Sequence, residues 1–111
     1  MRLMALATIF VICFFSPASA RTGLDLLNEC RDAPTNPVKD LTCGVYFSGF
    51  VEGFLFSGGL DHNGICLPPT ANNNQVRLIV EKYMRDHPAE LHLSAFVVIG
   101  RSLVAAFPCK K

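Results

Sequence analysis

The sequence carries little net charge. Ten basic residues are set against nine acidic ones, which leaves a formal net charge of +1 at pH 7. Removing the first 20 residues would take away one of those basic residues, Arg2, and leave the rest of the chain neutral. A neutral chain lacks the positive field that attracts nucleic acids and acidic membrane surfaces. We therefore expect no nucleic acid among its partners.

Familiar motifs of catalysis and metal binding are also missing. The spacings C-x-x-C and H-E-x-x-H, which supply closely spaced metal ligands, do not occur. Gly58-Gly59 follows a helical segment, whereas a phosphate-binding glycine loop precedes its helix. We predict no catalytic residues, no metal site and no cofactor. A small thiol hydrolase stays as an alternative, and it would need Cys43 or Cys66 free beside His62 or His92.

No apolar run in the mature chain is suited to crossing a membrane. Lys39-Asp40 and Glu52 confine the central apolar run to residues 41–51. A spanning helix needs roughly 20 predominantly apolar residues. We therefore expect no stable membrane insertion once the N-terminal segment is removed.

The N-terminal segment has the order of an export signal. Arg2 precedes an apolar block over residues 3–15, and Ala18-Ser19-Ala20 follows it. This order is typical of a secretory signal peptide with an A-x-A cleavage site, so we predict cleavage after Ala20. Residues 1–20 are then the signal peptide, and residues 21–111 form one mature domain.

The mature sequence predicts an all-α fold, a small bundle of four or five helices. Apolar residues at helical spacing indicate a first helix over about 24–32, with Leu24 inward, and a central helix that begins at Pro37. Thr22 and Asn36 are suitable N-caps for these two helices. Thr70 or one of Asn72 to Asn74 caps a third helix, which stops at His87-Pro88 and has Glu81 among its outward residues. Pro88 then opens a fourth helix that runs to Phe107.

The stretch over residues 38–57, which the central helix contains, combines large apolar residues with small ones. Glycine inside a helix costs about 1 kcal/mol relative to alanine. Gly44, Gly49 and Gly53 therefore suggest that another helix crosses closely, and we predict that this helix is buried on most of its surface. Aromatic residues surround it, and either neighbouring helices cover them on three sides or one aromatic edge is a partner or dimer surface. These residues are Tyr46, Phe47, Phe50, Phe54 and Phe56.

Four cysteines remain after Cys13 is lost with the signal peptide, which is typical of a disulfide framework in a small exported domain. In an up-and-down bundle the end of helix one meets the start of helix two, which brings Cys30 near Cys43. The same topology brings Cys66 near Cys109 at the other end. Disulfide Cα atoms must lie within about 7 Å, so this topology favours the pairs Cys30–Cys43 and Cys66–Cys109.

An ordered set of short motifs then resembles a known family, the Rap/Tai immunity proteins of type VI secretion systems. The resemblance covers nearly all of the mature chain and depends on the motifs together with the signal peptide. The motifs are Cys43-Gly44-Val45-Tyr46, Gly49-Phe50-Val51-Glu52-Gly53, Gly64-Ile65-Cys66-Leu67-Pro68, Gln75 opening a helix, His87-Pro88-Ala89-Glu90-Leu91-His92 and Ala105-Ala106-Phe107-Pro108-Cys109.

The resemblance implies a periplasmic, all-helical, non-catalytic protein. Family members bind an amidase effector that cleaves peptidoglycan peptide stems, block its active-site cleft, and often act as homodimers. Exposed loops on rigid scaffolds are common recognition elements. We therefore expect effector binding in the loop of Gly58, Gly59, Leu60, Asp61, His62 and Asn63. The alternatives are a small periplasmic stress chaperone and an orphan binding module with no toxin partner.

Overall fold

A computed structural model describes residues 19–110, so residues 1–18 of the predicted signal peptide lie outside the described residues. The described chain forms four α-helices: α1 (Gly23–Asp32), α2 (Pro37–Phe56), α3 (Asn73–Asp86) and α4 (Ala95–Ala106). Three short 3₁₀ helices, Ala33–Thr35, Asp61–Asn63 and Pro88–Glu90, lie in the connections. Residues 19–110 contain isolated bridges but no strand. The predicted all-α fold is confirmed.

The predicted N-caps of the first two helices are confirmed. The Thr22 side chain accepts a hydrogen bond from the Asp25 amide, and the Asp25 carboxylate accepts one from the Thr22 amide. The Asn36 side chain accepts from two amides at the start of α2, where Pro37 is the first helical residue. Each cap satisfies amides that have no partner inside the helix.

The prediction that Pro88 opens the fourth helix is wrong. Pro88–Glu90 is a 3₁₀ helix, and α4 begins only after Ser94. The intervening segment pairs with the start of α1, because the carbonyls of Leu91 and Leu93 accept hydrogen bonds from the amides of Leu24 (3.0 Å) and Gly23 (2.9 Å). These amides belong to the first turn of α1 and need partners from outside the helix.

The core lies between one side of α2 and the inward sides of the other helices. It consists of Leu26, Leu27, Cys30, Cys43, Phe47, Phe50, Phe54, Ile65, Val76, Val80, Met84, Ala95, Val98, Ile99 and Leu103. The inward prediction for Leu24 is wrong, since Leu24 is 48% exposed and Leu26 takes the inner position.

One ion-paired group ties α3 to α2. Arg77 donates to Asp40 of α2 (2.8 Å) and to Glu81 of its own helix (2.9 Å). The hydrogen bonds to these two carboxylates raise the pKa of Arg77 above its usual value. The outward prediction for Glu81 is therefore wrong: Glu81 is buried, and Arg77 supplies the partner that a buried charge requires.

Both predicted disulfides are present. Cys30–Cys43 joins α1 to α2 with a Cα–Cα distance of 5.2 Å, and Cys66–Cys109 joins the α2–α3 loop to the C-terminal segment with a distance of 5.0 Å.

Among the described residues, no helix combines the length and hydropathy that a membrane crossing needs.

Candidate functional site

α2 has a buried side and an exposed side. Its exposed large residues include Val38 (70% exposed), Leu41 (68%) and Val45 (60%). At 100° per residue they project opposite the buried Phe47 and Phe50. The prediction that α2 is buried on most of its surface is therefore wrong, and its exposed side is mainly aliphatic here, whereas the alternative expected an aromatic edge.

The small residues of α2 belong to this exposed side. A Cβ atom built on Gly44, Gly49 or Gly53 would meet nothing within 4 Å. The predicted close crossing by another helix is therefore wrong for the described part of the chain. We call Val38, Leu41, Val45, Gly44 and Gly49 the α2 face. A helix from another molecule could approach this face closely at Gly44 and Gly49, because no side chain occupies the space beside these two glycines.

The loop after α2 turns sharply on glycines. Gly58 and Gly59 have φ angles of +109° and +99°, and Gly64 has a φ angle of +80°. The Gly59 amide donates to the carbonyl of Phe54 (2.7 Å), which closes the end of α2. An alanine Cβ at Gly59 would lie 2.7 Å from Oδ1 of Asp61. The positive φ angles therefore favour glycine at these three positions.

The structure places the predicted loop residues in two groups. Asp61, His62 and Asn63 form a single 3₁₀ turn with exposed side chains. Leu60 is half-buried and packs against the core, so it anchors the loop. Gly58 and Gly59 shape the turn. Three of the six predicted residues are thus available to a partner through their side chains.

Phe56, the last residue of α2, lies two residues before Gly58 and is 96% exposed. The sequence predicts Phe56 as one of five aromatic residues around α2, either covered by neighbouring helices or part of an aromatic partner surface, and does not single it out. Two features of the sequence indicate that Phe56 is exposed: helical spacing places it on the side opposite Phe54, and Gly58-Gly59 follows shortly after it. We call Phe56, Asp61, His62 and Asn63 the loop surface; the exposed Glu52 lies between it and the α2 face.

Open grooves flank both surfaces. One of about 520 Å³ lies beside the loop and is lined by Phe54, Asn63, Ile65, Tyr83, Gly100, Arg101, Val104 and Ala105. Another, of about 440 Å³, runs between α2 and the start of α3, with Leu41, Val45 and Arg77 among its lining residues. Open, largely apolar grooves next to exposed side chains suit contact with a protein surface.

The alternative of a thiol hydrolase lacks a free cysteine nucleophile in this structure. Cys43 and Cys66, which would have had to be free, are both bonded in disulfides. The sulfurs of Cys30 and Cys43 lie within 4.8 Å of a carboxylate oxygen of Glu81. The sulfurs are bonded to each other and the carboxylate is paired with Arg77, so this group has no free ligands for a metal ion.

The described chain is a small helical domain with two disulfides, and α2 and the loop that follows it expose apolar and polar side chains. A comparison with family models identifies its family: the chain belongs to the Rap1a immunity proteins, whose model matches residues 22–109. Its role is therefore immunity to a toxin, and its partner is a protein effector. No curated protein and no solved structure matches the chain.

Proposed function

We propose that this chain is a periplasmic immunity protein that binds a peptidoglycan amidase effector of a type VI secretion system and occludes the amidase's active-site cleft. The family match over residues 22–109 carries the proposal, because immunity requires binding a toxin. The amidase class comes from the motif resemblance to Rap/Tai immunity proteins.

The predicted export signal supports the periplasmic location. An amidase that cleaves peptide stems of peptidoglycan acts outside the cytoplasmic membrane, so its inhibitor must be exported to meet it. Two disulfides also fit an oxidising compartment.

We assign effector binding to the loop surface. Phe56 offers a large apolar side chain that folding leaves in water, and Asp61, His62 and Asn63, five to seven residues further along the chain, offer exposed hydrogen-bonding groups. An aromatic anchor with a polar rim is the usual anatomy of a tight interface. The loop is held by backbone hydrogen bonds and by Cys66, so binding would cost little ordering entropy.

We assign the α2 face to a second copy of the chain, which makes the active form a homodimer. Leu41 and Val45 are apolar and more than half exposed, and the open space at Gly44 and Gly49 would let two α2 helices approach closely. The loop surface lies toward the other end of the same helix and would stay free for the effector.

Coexpression with a toxin tests the proposed function. Cells that export a peptidoglycan amidase effector should lyse, and the full-length chain should protect them. A version without residues 1–20 should give no protection, and the protein recovered from protected cells should begin at Arg21. Failure of the full-length chain to protect against every amidase effector tried, including any encoded beside it, would contradict the proposal and favour the chaperone or orphan alternatives.

A further inference from the structure

We propose that the Cys66–Cys109 disulfide is a redox-sensitive latch on the loop surface, which a dithiol reductant opens while the Cys30–Cys43 disulfide stays closed. The proposal adds a means of regulating the surface assigned above. Its binding test therefore rests on the proposed function, whereas its chemical test does not.

The two disulfides differ sharply in exposure. Cys30 and Cys43 are 1% and 0% exposed and belong to the core. Cys66 is exposed and Cys109 is half-buried. Thiol–disulfide exchange requires an attacking thiolate to reach a sulfur atom, so access controls which disulfide is reduced first.

The exposed disulfide connects the loop to the C-terminal segment. The Cys66 amide donates to the carbonyl of Phe107 (2.8 Å), and the Cys109 amide donates to that of Gly64 (3.3 Å). The Cys109 sulfur lies 3.9 Å from the carbonyl oxygen of Asp61 in the loop surface. Opening the disulfide would remove the covalent tie and leave this junction to two backbone hydrogen bonds and the packing of Phe107.

The buried disulfide is protected by its surroundings. Arg77 donates to the carbonyl of Cys30 (3.4 Å) while it pairs with Asp40 and Glu81. A reductant could reach Cys43 only after α1, α2 and α3 separate. The covalent link between α1 and α2 would therefore stay in place when the latch opens.

The reductant is a dithiol, either a small molecule or a protein. One of its thiolates attacks the sulfur of Cys66, the Cys66–Cys109 bond breaks, and Cys109 leaves as a thiolate that takes up a proton. The second thiol of the reductant then attacks the mixed disulfide and releases Cys66. Two electrons pass to the protein, and the reductant ends as a disulfide.

Graded reduction with dithiothreitol, followed by alkylation and peptide mapping, tests the chemistry on the oxidised mature protein. We expect Cys66 and Cys109 to be alkylated at reductant concentrations about tenfold or more below those needed for Cys30 and Cys43. Circular dichroism should stay helical at that stage, and amide exchange should quicken in residues 58–66. Simultaneous or reversed labelling, or unchanged exchange in the loop, would overturn the proposal.

Binding to the amidase effector identified by the protection assay tests the regulation. We expect the latch-opened protein and the Cys66→Ser/Cys109→Ser variant to bind at least tenfold more weakly, and reoxidation of the wild type to restore affinity. Unchanged affinity would overturn the latch and leave the proposed function intact. Absence of effector binding by the oxidised wild type would instead count against the proposed function, and the exchange experiment would still decide on the latch.

Discussion

Phe56 is 96% exposed at the C-terminal end of α2. Fully burying a phenylalanine side chain is worth about 1.5–3 kcal/mol. Folding leaves this free energy unused, so a partner that covers Phe56 can gain it. The polar side chains of Asp61 and His62 alone would give a weaker and more easily hydrated contact.

Replacing Phe56 by alanine should separate binding from stability. We expect Phe56→Ala to weaken effector binding by about tenfold or more, since truncated aromatic anchors commonly lose more than 1.4 kcal/mol. The free energy of unfolding should change by less than about 0.5 kcal/mol, because the side chain is exposed. Isothermal titration calorimetry and urea unfolding measure the two quantities.

Leu78→Ala is the matched control. Leu78 is 56% exposed, and its neighbour Arg77 is bonded to Asp40 near the start of α2, far from Phe56 along that helix. It should leave binding unchanged. Equal losses from both variants, or no loss from Phe56→Ala, would show that Phe56 is not the anchor.

The Asp25 carboxylate makes the stability of the folded protein depend on pH in the acidic range. This carboxylate accepts a hydrogen bond from the Thr22 amide, which holds its pKa below the usual 3.8. A carboxylate with a lowered folded-state pKa stabilises the protein above its unfolded pKa and loses that contribution as the pH falls through the folded value. Ion pairs lower the pKa of Asp32, through Lys39, and of Asp86, through Lys82, in the same direction.

Urea unfolding near neutral pH and at about pH 3 should therefore show lower stability in acid. Asp25→Asn should be less stable than the wild type near neutrality and should show a smaller loss on acidification. An acid-induced loss of the same size in both proteins would mean that the Asp25 cap does not contribute to it.

At the scale of elements, the sequence predicts local features well. Thr22 and Asn36 were identifiable as caps because a cap depends on side chains within three residues of the helix start. The start of α4 was not, because residues 91–95 bond to residues 21–24, and that pairing exists only in the folded chain. The prediction for the burial of α2 was wrong because the spacing of apolar residues identifies an apolar side without showing whether other helices of the chain cover it.

The loop depends on backbone geometry that only glycine supplies at low cost. We expect Gly59→Ala to destabilise the protein by about 1–3 kcal/mol, since alanine rarely adopts the φ angle of +99° that this position has. The effector affinity should fall as well. Thermal and urea unfolding measure the first effect, and calorimetry measures the second.

Gly100→Ala provides the opposite control. Gly100 lies inside α4, and a Cβ there would meet nothing within 4 Å. Alanine should raise stability by up to about 1 kcal/mol through helix propensity. Destabilisation by both substitutions, or by neither, would contradict the assignment of Gly59 to a strained turn.

At the scale of the molecule, the disulfides supply a large part of what holds a domain this small. Loop-closure entropy assigns about 3 kcal/mol to Cys30–Cys43 and about 4 kcal/mol to Cys66–Cys109, for sequence separations of 13 and 43 residues. The pairing was predictable because the up-and-down topology brings only these cysteines together. The exposure of one disulfide and the burial of the other required the packed structure.

If the α2 face binds a second copy of the chain, as we propose, the protein is a dimer in solution. The mature protein should be a dimer by light scattering, and Val45→Glu should make it a monomer, because a charge would have to be buried against the partner helix. Leu78→Glu, at an exposed position on α3, should leave the dimer intact. A wild-type monomer at the highest concentration measured would contradict the assignment of this face to a second copy.

We propose that this immunity protein inhibits its effector by covering it with the loop surface. The rate at which a peptidoglycan amidase effector cleaves peptide stems, titrated with oxidised mature protein, tests this. We expect full inhibition at a stoichiometric amount, weakened by Phe56→Ala and by Asp61→Ala and unaffected by Leu78→Ala. Full inhibition that ignored the loop substitutions would move the contact to another surface, and no inhibition of any amidase effector would contradict the claim itself.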